Sequence, residues 1–392
     1  MKAIDHYIGV PVCLALDLFC KLLSFLPTRT VTSPRKILVM KFFGMGSILL
    51  ASPMLRGLKE RFPEARIGFL TFASNRDMVE RLNLVDHIHT LRTDRFIHFF
   101  RTLLQALWHI RREGYDVTID MEFFAKFSTI VTYLSGSPMR IGYFLRQMWR
   151  GDLLTQQIYY NHYKHITEVF GALAAPLGVT VSDFTPRKPE WTPEEDGAAA
   201  AMLEREGVLP GDLLVGFNVN VSDLSLERRW SKREFQRLAE SLLTELDCKL
   251  VFIGSRSEAA YVAEVLDGIG RGNDRIVNLA GKTGLGELLG VMARMSLFIT
   301  NDSGPLHIAA ALGKPTLSFF GPETPILYGP RGRDPLVFYE GIYCSPCLNV
   351  FNVKTAPCSG QNVCMQAINA EEVLAIMRNR YHQLWENHRR DP

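Results

Sequence analysis

The sequence predicts an α/β protein made of two doubly wound, Rossmann-like domains. Apolar runs of strand length alternate with helix-length segments twice along the chain, in residues 35–182 and again in residues 213–368. A charged segment with three prolines, residues 183–195, separates the two series. Such alternation is typical of parallel sheets that helices cover on both faces. The 392 residues suffice for two hydrophobic cores.

The composition excludes several other classes of protein. Hydrophobic residues make up 47% of the chain and charged residues 22%, as in ordinary globular proteins. The formal net charge of +3 is too small to favour a nucleic-acid partner, so none is expected. The seven cysteines are dispersed and are not arranged as a secreted disulfide scaffold.

The N-terminal segment, residues 1–34, is predicted to hold an apolar anchor helix. Residues 7–26 are nearly all apolar, and Asp17, Lys21 and Ser24 fall on one narrow helical stripe. These polar residues argue against a signal peptide and make a bilayer-spanning helix costly. A helix lying in the plane of a membrane surface fits best, and the basic residues after it would keep the rest of the chain cytoplasmic. The alternative is a helix packed on the protein's own surface.

The first domain, residues 35–182, begins with a buried strand at residues 36–40. A glycine turn at residues 44–46 and a helix at residues 47–61 follow it. Apolar runs predict further strands at residues 66–71, 87–91 and 115–120. The longest helix of the domain is predicted at residues 95–112, between the last two strands.

A linker at residues 183–212 is predicted to lead into the second domain, residues 213–368. Its predicted strands are residues 213–218, 249–254, 275–278, 297–300 and 316–319. Its predicted helices are residues 231–246, 258–268 and 285–294. A last helix at residues 371–388 lies in a C-terminal segment, residues 369–392, and could return to the first domain.

The stretch 298–322 reads as a strand, a polar turn, a helix and a second strand. The turn is Asn301-Asp302-Ser303-Gly304, and Pro305 stands where the first turn of a helix tolerates a missing N–H donor. Such a turn lies at the carboxyl edge of a parallel sheet, where the positive end of the helix favours phosphate. His307 could donate to phosphate or sugar, or could be a packing histidine. An ordinary capped helix is the alternative for Asp302 to Gly304.

These residues carry a family resemblance. Asp302-Ser303-Gly304-Pro305-x-His307-x-Ala309-Ala310, with Gly313-Lys314-Pro315 and Phe320-Gly321-Pro322, resembles the donor-binding signature of glycosyltransferase family 9. That family includes the ADP-heptose:lipopolysaccharide heptosyltransferases, and the resemblance extends over residues 36–365.

The resemblance implies the GT-B architecture, with two domains facing each other across a cleft. It also implies inverting transfer of a sugar, with heptose as a candidate, from a nucleotide-diphosphate donor to a lipopolysaccharide-type or other lipid-linked glycan. No cofactor would be required for transfer. The place of action would be the cytoplasmic face of the bacterial inner membrane, which agrees with an N-terminal anchor.

Further polar residues at strand ends are candidates for donor binding. Asn218, Asn220 and Ser222 leave the first strand of the second domain. Arg228 stands where the family has a basic residue on the diphosphate, and a guanidinium can hold phosphate oxygens in pairs. Glu258 could cap the helix that it opens, or bind the ribose or base, as the resemblance implies.

The first domain departs from the family pattern at the predicted base. The family has Gly-x-Gly-Asp after the first strand, with the aspartate as base, whereas this chain has Gly44-Met45-Gly46-Ser47. A serine cannot accept a proton at neutral pH without a base of its own.

Three explanations of this departure stay open. Another carboxylate could act, with Glu122 preferred to Asp120; the acceptor could tolerate a weaker base; or the protein could bind a sugar nucleotide without transferring it. A GT-B sugar-nucleotide epimerase is a further alternative. Arg140 and His165, together with Gly46 and Ser47, are predicted on the acceptor side.

Four late cysteines have a spacing that suggests a metal site. Cys344, Cys347, Cys358 and Cys364 could hold structural zinc or an iron–sulfur cluster. Unliganded cysteines in a loop are the alternative.

Overall fold

A computed structural model of the chain describes residues 5, 7–22, 31–222, 225–270, 273–352, 354–358 and 361–389. The chain forms two compact units, Met1–Arg187 and Lys188–Pro392. Each unit contains a six-stranded sheet in which every pair of neighbouring strands is parallel. The prediction of two doubly wound α/β domains is therefore confirmed.

The first unit carries its sheet in the order β3-β2-β1-β4-β5-β6. Its elements are α1 (Gly9–Leu22), β1 (Lys36–Met40), α2 (Met45–Leu50), α3 (Ser52–Arg61), β2 (Arg66–Phe72), α4 (Arg76–Leu82), β3 (His87–Leu91), α5 (Phe96–Glu113), β4 (Val117–Asp120), α6 (Lys126–Leu134), β5 (Met139–Phe144), β6 (Gln156–Tyr159) and α7 (Ile166–Ala172). The direction of strand addition reverses between β1 and β4, and Met40 pairs with Asp120 at their carboxyl ends. Ligands in such sheets bind at this reversal.

The second unit repeats this arrangement in the order β12-β11-β10-β7-β8-β9. Its elements are α8 (Pro193–Arg205), β7 (Leu213–Asn218), α9 (Lys232–Glu245), β8 (Cys248–Phe252), α10 (Ala259–Leu266), β9 (Ile276–Asn278), α11 (Leu285–Arg294), β10 (Leu297–Asn301), α12 (Gly304–Ala311), β11 (Thr316–Phe320), α13 (Pro325–Tyr328), β12 (Pro335–Tyr339), α14 (Val363–Gln366), α15 (Ala370–Arg380) and α16 (His382–His388). The reversal lies between β7 and β10, where Asn218 pairs with Thr300.

A cluster of aromatic side chains in the core of the second unit packs against the strands that end at this edge. The Trp230 ring stacks on Phe319 with 3.9 Å between centroids, and Phe217 stacks on Phe252 at 4.9 Å. The buried indole of Trp230 also donates from Nε1 to the Ile368 carbonyl at 3.0 Å. Because this core is close-packed, the strand ends above it are held in fixed positions.

Two predicted boundaries differ from the structure. The predicted linker contains helix α8, which begins at a capping box of Thr192 and Glu195 and is tied to α11 by the Asp196–Arg294 ion pair. The prolines of the segment precede the helix or start it, so they mark a helix start as well as a connection. The C-terminal helices pack on the second unit, where Arg378 and Trp385 both bind Glu245 on α9.

Helix α1 packs against the first unit. Cys13 is buried on its inner face, and the Asp17 carboxylate accepts the backbone N–H of Asp152 at 3.0 Å. Leu14, Leu18 and Phe19 point outward and are exposed. Among the described residues, none of the helices has the length and hydropathy needed to cross a bilayer. Ser24, the end of the predicted apolar segment and the basic residue at 29 lie outside the described residues.

Candidate functional site

The N-terminus of α12 is open at the carboxyl edge of the second sheet. Its N-cap residue Ser303 makes no capping bond, because its Oγ accepts from Asn218 Nδ2 at 2.9 Å and lies 3.1 Å from Thr300 Oγ1. Side-chain capping would occupy the first N–H groups of the helix, so their positive end stays available to an anion. The alternative of an ordinary capped helix is therefore wrong for the helix at Gly304.

Arg228 lies at the same edge and links two predicted donor residues. Its Nη1 donates to the Asp302 carbonyl at 2.9 Å and to Asp302 Oδ2 at 3.3 Å, while Nη2 donates to Ser222 Oγ at 3.0 Å. The guanidinium is partly exposed, with 16% of its side-chain surface accessible. A fixed, accessible guanidinium beside a helix N-terminus is an arrangement that suits a diphosphate.

His307 is buried in the first turn of α12 and its Nδ1 has no hydrogen-bond partner among the described residues. Burial, and then the nearby charge of Arg228, lower the pKa of His307 to about 4. The imidazole is therefore neutral at pH 7 and carries one N–H and one lone pair. A buried polar atom without a partner is costly unless a ligand satisfies it, so Nδ1 is a candidate ligand contact.

Two predicted donor residues hold the edge together instead of facing outward. Asn218 and Asn220 are both buried; Asn218 donates to Ser303 Oγ, and Asn220 Oδ1 accepts from Arg229 Nε at 2.6 Å. Asn301 also stabilises this edge, since its Oδ1 accepts from the backbone N–H of Trp230 at 2.8 Å. These amides fix the loop that carries Arg228.

Glu258 makes the contacts of a helix cap. Its Oε2 accepts the backbone N–H of Ser255 at 2.6 Å in a capping box at the end of β8. The helix-capping role that the sequence analysis gave as the alternative for Glu258 is therefore present. A contact between Glu258 and a ribose or base stays a prediction.

Sequence reasoning missed a buried ion pair beside Asp302. Glu323 follows β11, is 4% exposed and pairs with Lys354, whose ammonium lies 4.8 Å from the Tyr328 ring centre. Burial raises the pKa of Glu323, with the Asp302 charge contributing in the same direction. The signal was available at position 323, since this glutamate directly follows Phe320-Gly321-Pro322 at the end of a strand next to β10.

The Glu122 carboxylate of the first unit is buried and hydrogen-bonded to other residues of the protein. It is 1% exposed, and its Oε1 accepts from Lys41 Nζ at 2.8 Å and from the backbone N–H groups of Phe42 and Phe43 at 2.7 and 3.1 Å. These donors fix the loop between β1 and the Gly44 turn. The geometry therefore disagrees with Glu122 as a base that takes a proton from an acceptor.

Asp120 is also enclosed. It is fully buried, pairs with Arg150 and accepts from Ser128 Oγ at 2.8 Å. Burial raises its pKa to about 6, and the Arg150 charge acts in the opposite direction. Because this buried carboxylate is already bonded to Arg150 and Ser128, its position does not support a role as the catalytic base either.

The other predicted acceptor-side residues divide into two kinds. Gly46 is buried and Ser47 is half-buried in the first turns of α2, next to the left-handed Gly44 (φ 84°). Arg140 donates to the carbonyl groups of Leu153 and Ser137, and His165 caps α7 by accepting from Thr167. These last two side chains bind backbone groups, and their place on the acceptor side stays a prediction.

The structure describes all four late cysteines whose spacing suggested a metal site. Cys344 is exposed, Cys347 and Cys358 are half-buried and Cys364 is buried, all as free thiols. Within the part of the chain that the structure describes, no group of three or more His, Cys, Asp or Glu side chains is placed to hold a metal ion. The suggested zinc or iron–sulfur site is therefore not supported.

Comparison with known proteins gives consistent matches. The family model described as glycosyltransferase family 9 (heptosyltransferase) matches residues 103–355. Lipopolysaccharide heptosyltransferase 2 of Salmonella typhimurium is 24% identical over 300 residues, which cover 74% of this chain and 84% of the relative.

Two solved structures have similar folds. A glycosyltransferase family 9 protein from Veillonella parvula superposes with a TM-score of 0.73 at 21% identity, covering 90% of this chain and 99% of the other. The ADP-heptose lps heptosyltransferase II of E. coli superposes with a TM-score of 0.69 at 20% identity, with the same coverage.

Proposed function

The chain belongs to glycosyltransferase family 9, and from that premise we propose that it transfers a sugar from a nucleotide-diphosphate donor to a lipopolysaccharide-type acceptor. The observation that carries the proposal is the cluster at the α12 N-terminus. There Arg228, the uncapped helix start and the unpartnered Nδ1 of His307 lie on one sheet edge. ADP-heptose is the donor named for the E. coli neighbour and is our first candidate.

The diphosphate would be held by a change of partners. Without ligand, Nη1 of Arg228 donates to the Asp302 carboxylate. A diphosphate carries more negative charge than one carboxylate and presents several oxygens, so it would compete well for the guanidinium. The helix N-terminus adds a favourable field, and neutral His307 can donate a hydrogen bond without a proton transfer.

Transfer would proceed by direct displacement with inversion. The acceptor oxygen forms its bond to the anomeric carbon as the bond from that carbon to the diphosphate breaks. Groups that stabilise the departing diphosphate more strongly in the transition state than in the bound donor accelerate this step. Arg228 and the α12 N-terminus are the groups we assign to that stabilisation. The acceptor proton would pass to solvent water as the new bond forms, because Ser47 stands where the family has its aspartate.

The assignment is tested by replacing Arg228 and measuring both donor binding and transfer. For Arg228→Ala we expect ADP-heptose to bind about 10- to 100-fold more weakly, the range typical of a charge-assisted contact. Arg237→Ala is the matched control, because Arg237 is an exposed arginine that pairs with Glu234 on the following helix. Equal binding by the two variants would remove Arg228 from the donor site.

Ser47 favours one second candidate function, a sugar-nucleotide-binding protein that does not transfer. A single-turnover assay of the wild type with ADP-heptose and a heptose-acceptor lipopolysaccharide separates the two functions. Transfer supports the enzyme, and donor binding without transfer supports the binding protein. Ser47→Asp restores the family pattern and should raise the rate by about tenfold or more if the base limits transfer.

We place the protein at the cytoplasmic face of the bacterial inner membrane. The exposed apolar side chains Leu14, Leu18 and Phe19 on α1 support that location. Fractionation of cells expressing the full chain tests it, and recovery entirely in the supernatant at low salt would count against it.

A further inference from the structure

Helix α5 of the first unit carries a row of exposed apolar side chains that has no partner among the described residues. The row consists of Phe96, Ile97, Phe100, Leu104 and Trp108, and each of these residues is between 49% and 80% exposed. Phe96 and Ile97 are adjacent, and the other three follow at intervals of three to four residues along about 18 Å of helix, so the five form one continuous face. We refer to these five residues as the α5 stripe.

The core of the first unit does not account for this stripe. A different side of α5 packs inward, where Ala106 and Ile110 are buried and Phe99, Leu103 and Leu107 lie against the core cluster. The apolar surface of the helix is thus about twice as wide as the part that the core covers. Exposed patches of this kind in soluble proteins mark interaction sites.

The charges around the stripe are strongly basic. Residues 92–113, which run to the end of α5, contain five arginines and two acidic residues, Asp94 and Glu113, and Glu113 is paired with Lys36 at 3.3 Å. Asp94 is already paired with Arg92 at 2.8 Å and with His98 at 2.7 Å. Arg101 and Arg112 are exposed at the border of the stripe, and the Arg112 guanidinium lies 5.2 Å from the Trp108 ring centre.

We propose that α5 is a membrane-docking helix that lies in the interface of an anionic lipid bilayer. Its Phe and Trp side chains would enter the boundary between headgroups and acyl chains, and its arginines would contact lipid phosphates. Charge complementarity selects this partner. Two copies of the stripe packed face to face would bring arginines together, whereas an anionic surface neutralises them.

A second helix of the first unit, α1, also exposes apolar side chains, namely Leu14, Leu18 and Phe19. Both α1 and α5 contact α6: Asp5, just before α1, accepts the backbone N–H of Phe127, and Phe99 of α5 lies 5.4 Å from the Phe127 ring. The two helices therefore share α6 as a neighbour, and the exposed side of α1 is a second candidate for contact with the bilayer. The proposal does not depend on the transfer activity.

The test is flotation of the full-length protein with lipid vesicles. We expect binding to vesicles of mixed phosphatidylglycerol and phosphatidylethanolamine and much weaker binding to phosphatidylcholine alone. Phe100→Ser/Trp108→Ser should weaken binding by about tenfold or more, through the loss of inserted apolar surface. Arg101→Gln/Arg112→Gln should weaken it by about 30-fold and reduce its salt dependence.

The matched control is Leu209→Ser/Ile326→Ser, which removes two exposed apolar side chains of the second unit. It should bind vesicles like the wild type. Phospholipids brominated on the acyl chain should quench Trp108, and the Trp108→Phe variant should lose that component of the quenching. Circular dichroism checks that each variant is folded.

Three results would overturn the proposal. The stripe and arginine variants could bind vesicles as the wild type does, or binding could be equal on neutral lipid. Finally, the wild type could fail to bind vesicles and form a concentration-dependent dimer in sedimentation experiments that the stripe variants do not form. That result would make the stripe an interface between copies of this chain.

Discussion

Replacement of Glu122 by glutamine separates a structural carboxylate from a catalytic base. In the structure, Glu122 and Lys41 form an ion pair of 2.8 Å whose side chains are 1% and 3% exposed. The glutamine oxygen can still accept the backbone N–H groups of Phe42 and Phe43. It cannot balance the buried ammonium of Lys41, which is left without its counter-charge.

We therefore expect Glu122→Gln to lower the free energy of unfolding by about 3 kcal/mol, the usual cost of breaking a buried ion pair from one side. Glu60→Gln is the control, because Glu60 pairs with Arg56 at 4.0 Å and is 71% exposed; its effect should stay below about 0.5 kcal/mol. Urea denaturation of both variants measures this difference.

Transfer is then measured at a temperature where both variants are folded. If Glu122 is structural, the rate per folded molecule should remain within about threefold of the wild type. Loss of a general base would instead lower the rate by about 100- to 10,000-fold with the fold intact. A fully folded Glu122→Gln protein of unchanged stability that cannot transfer would refute the structural reading of this carboxylate.

Three further predictions concern other buried groups. The lowered pKa of His307 means that the unfolded chain binds a proton near pH 6.5 and the folded chain only near pH 4; stability should therefore fall as the pH drops through this window, and His307→Gln should reduce that fall by up to about 3 kcal/mol in acid denaturation curves. Asp120→Asn should destabilise the protein by about 3 kcal/mol or more, because Arg150 loses its buried partner; an unchanged urea midpoint would contradict this. Burial raises the pKa of the Cys364 thiol to about 11, so alkylation near pH 8, followed by mass spectrometry, should label exposed Cys344 first and Cys364 only on unfolding; protection of all four late cysteines that a chelator reverses would instead indicate bound metal.

Local patterns in the sequence identified most of the fold. Apolar runs at residues 36–40 and 213–218 coincide with β1 and β7, because a strand buried on both faces needs a continuous apolar sequence. The turn at Asp302 and the helix that begins at Gly304 were likewise predictable, since proline and glycine restrict the backbone within a few residues. Helix α8 was missed because its prolines fit a linker as well as a helix start.

The roles of buried polar side chains could not be predicted in this way. Glu122 is a strand-end carboxylate in the sequence, and only its contact with Lys41, 81 positions earlier, makes it structural. The Glu323–Lys354 pair and the Asn218–Ser303 bond also join residues that are distant along the chain.

The sequence by itself determined the two-domain α/β architecture and the polar turn before α12, since both follow from patterns within a few residues. Only the tertiary structure decided which polar side chains are hydrogen-bonded to other residues of the protein and which lack such a partner. The physical reason is that desolvation and hydrogen-bond partners depend on neighbours in space. Glu122 and Arg140 are hydrogen-bonded to the protein, whereas Nδ1 of His307 has no partner among the described residues.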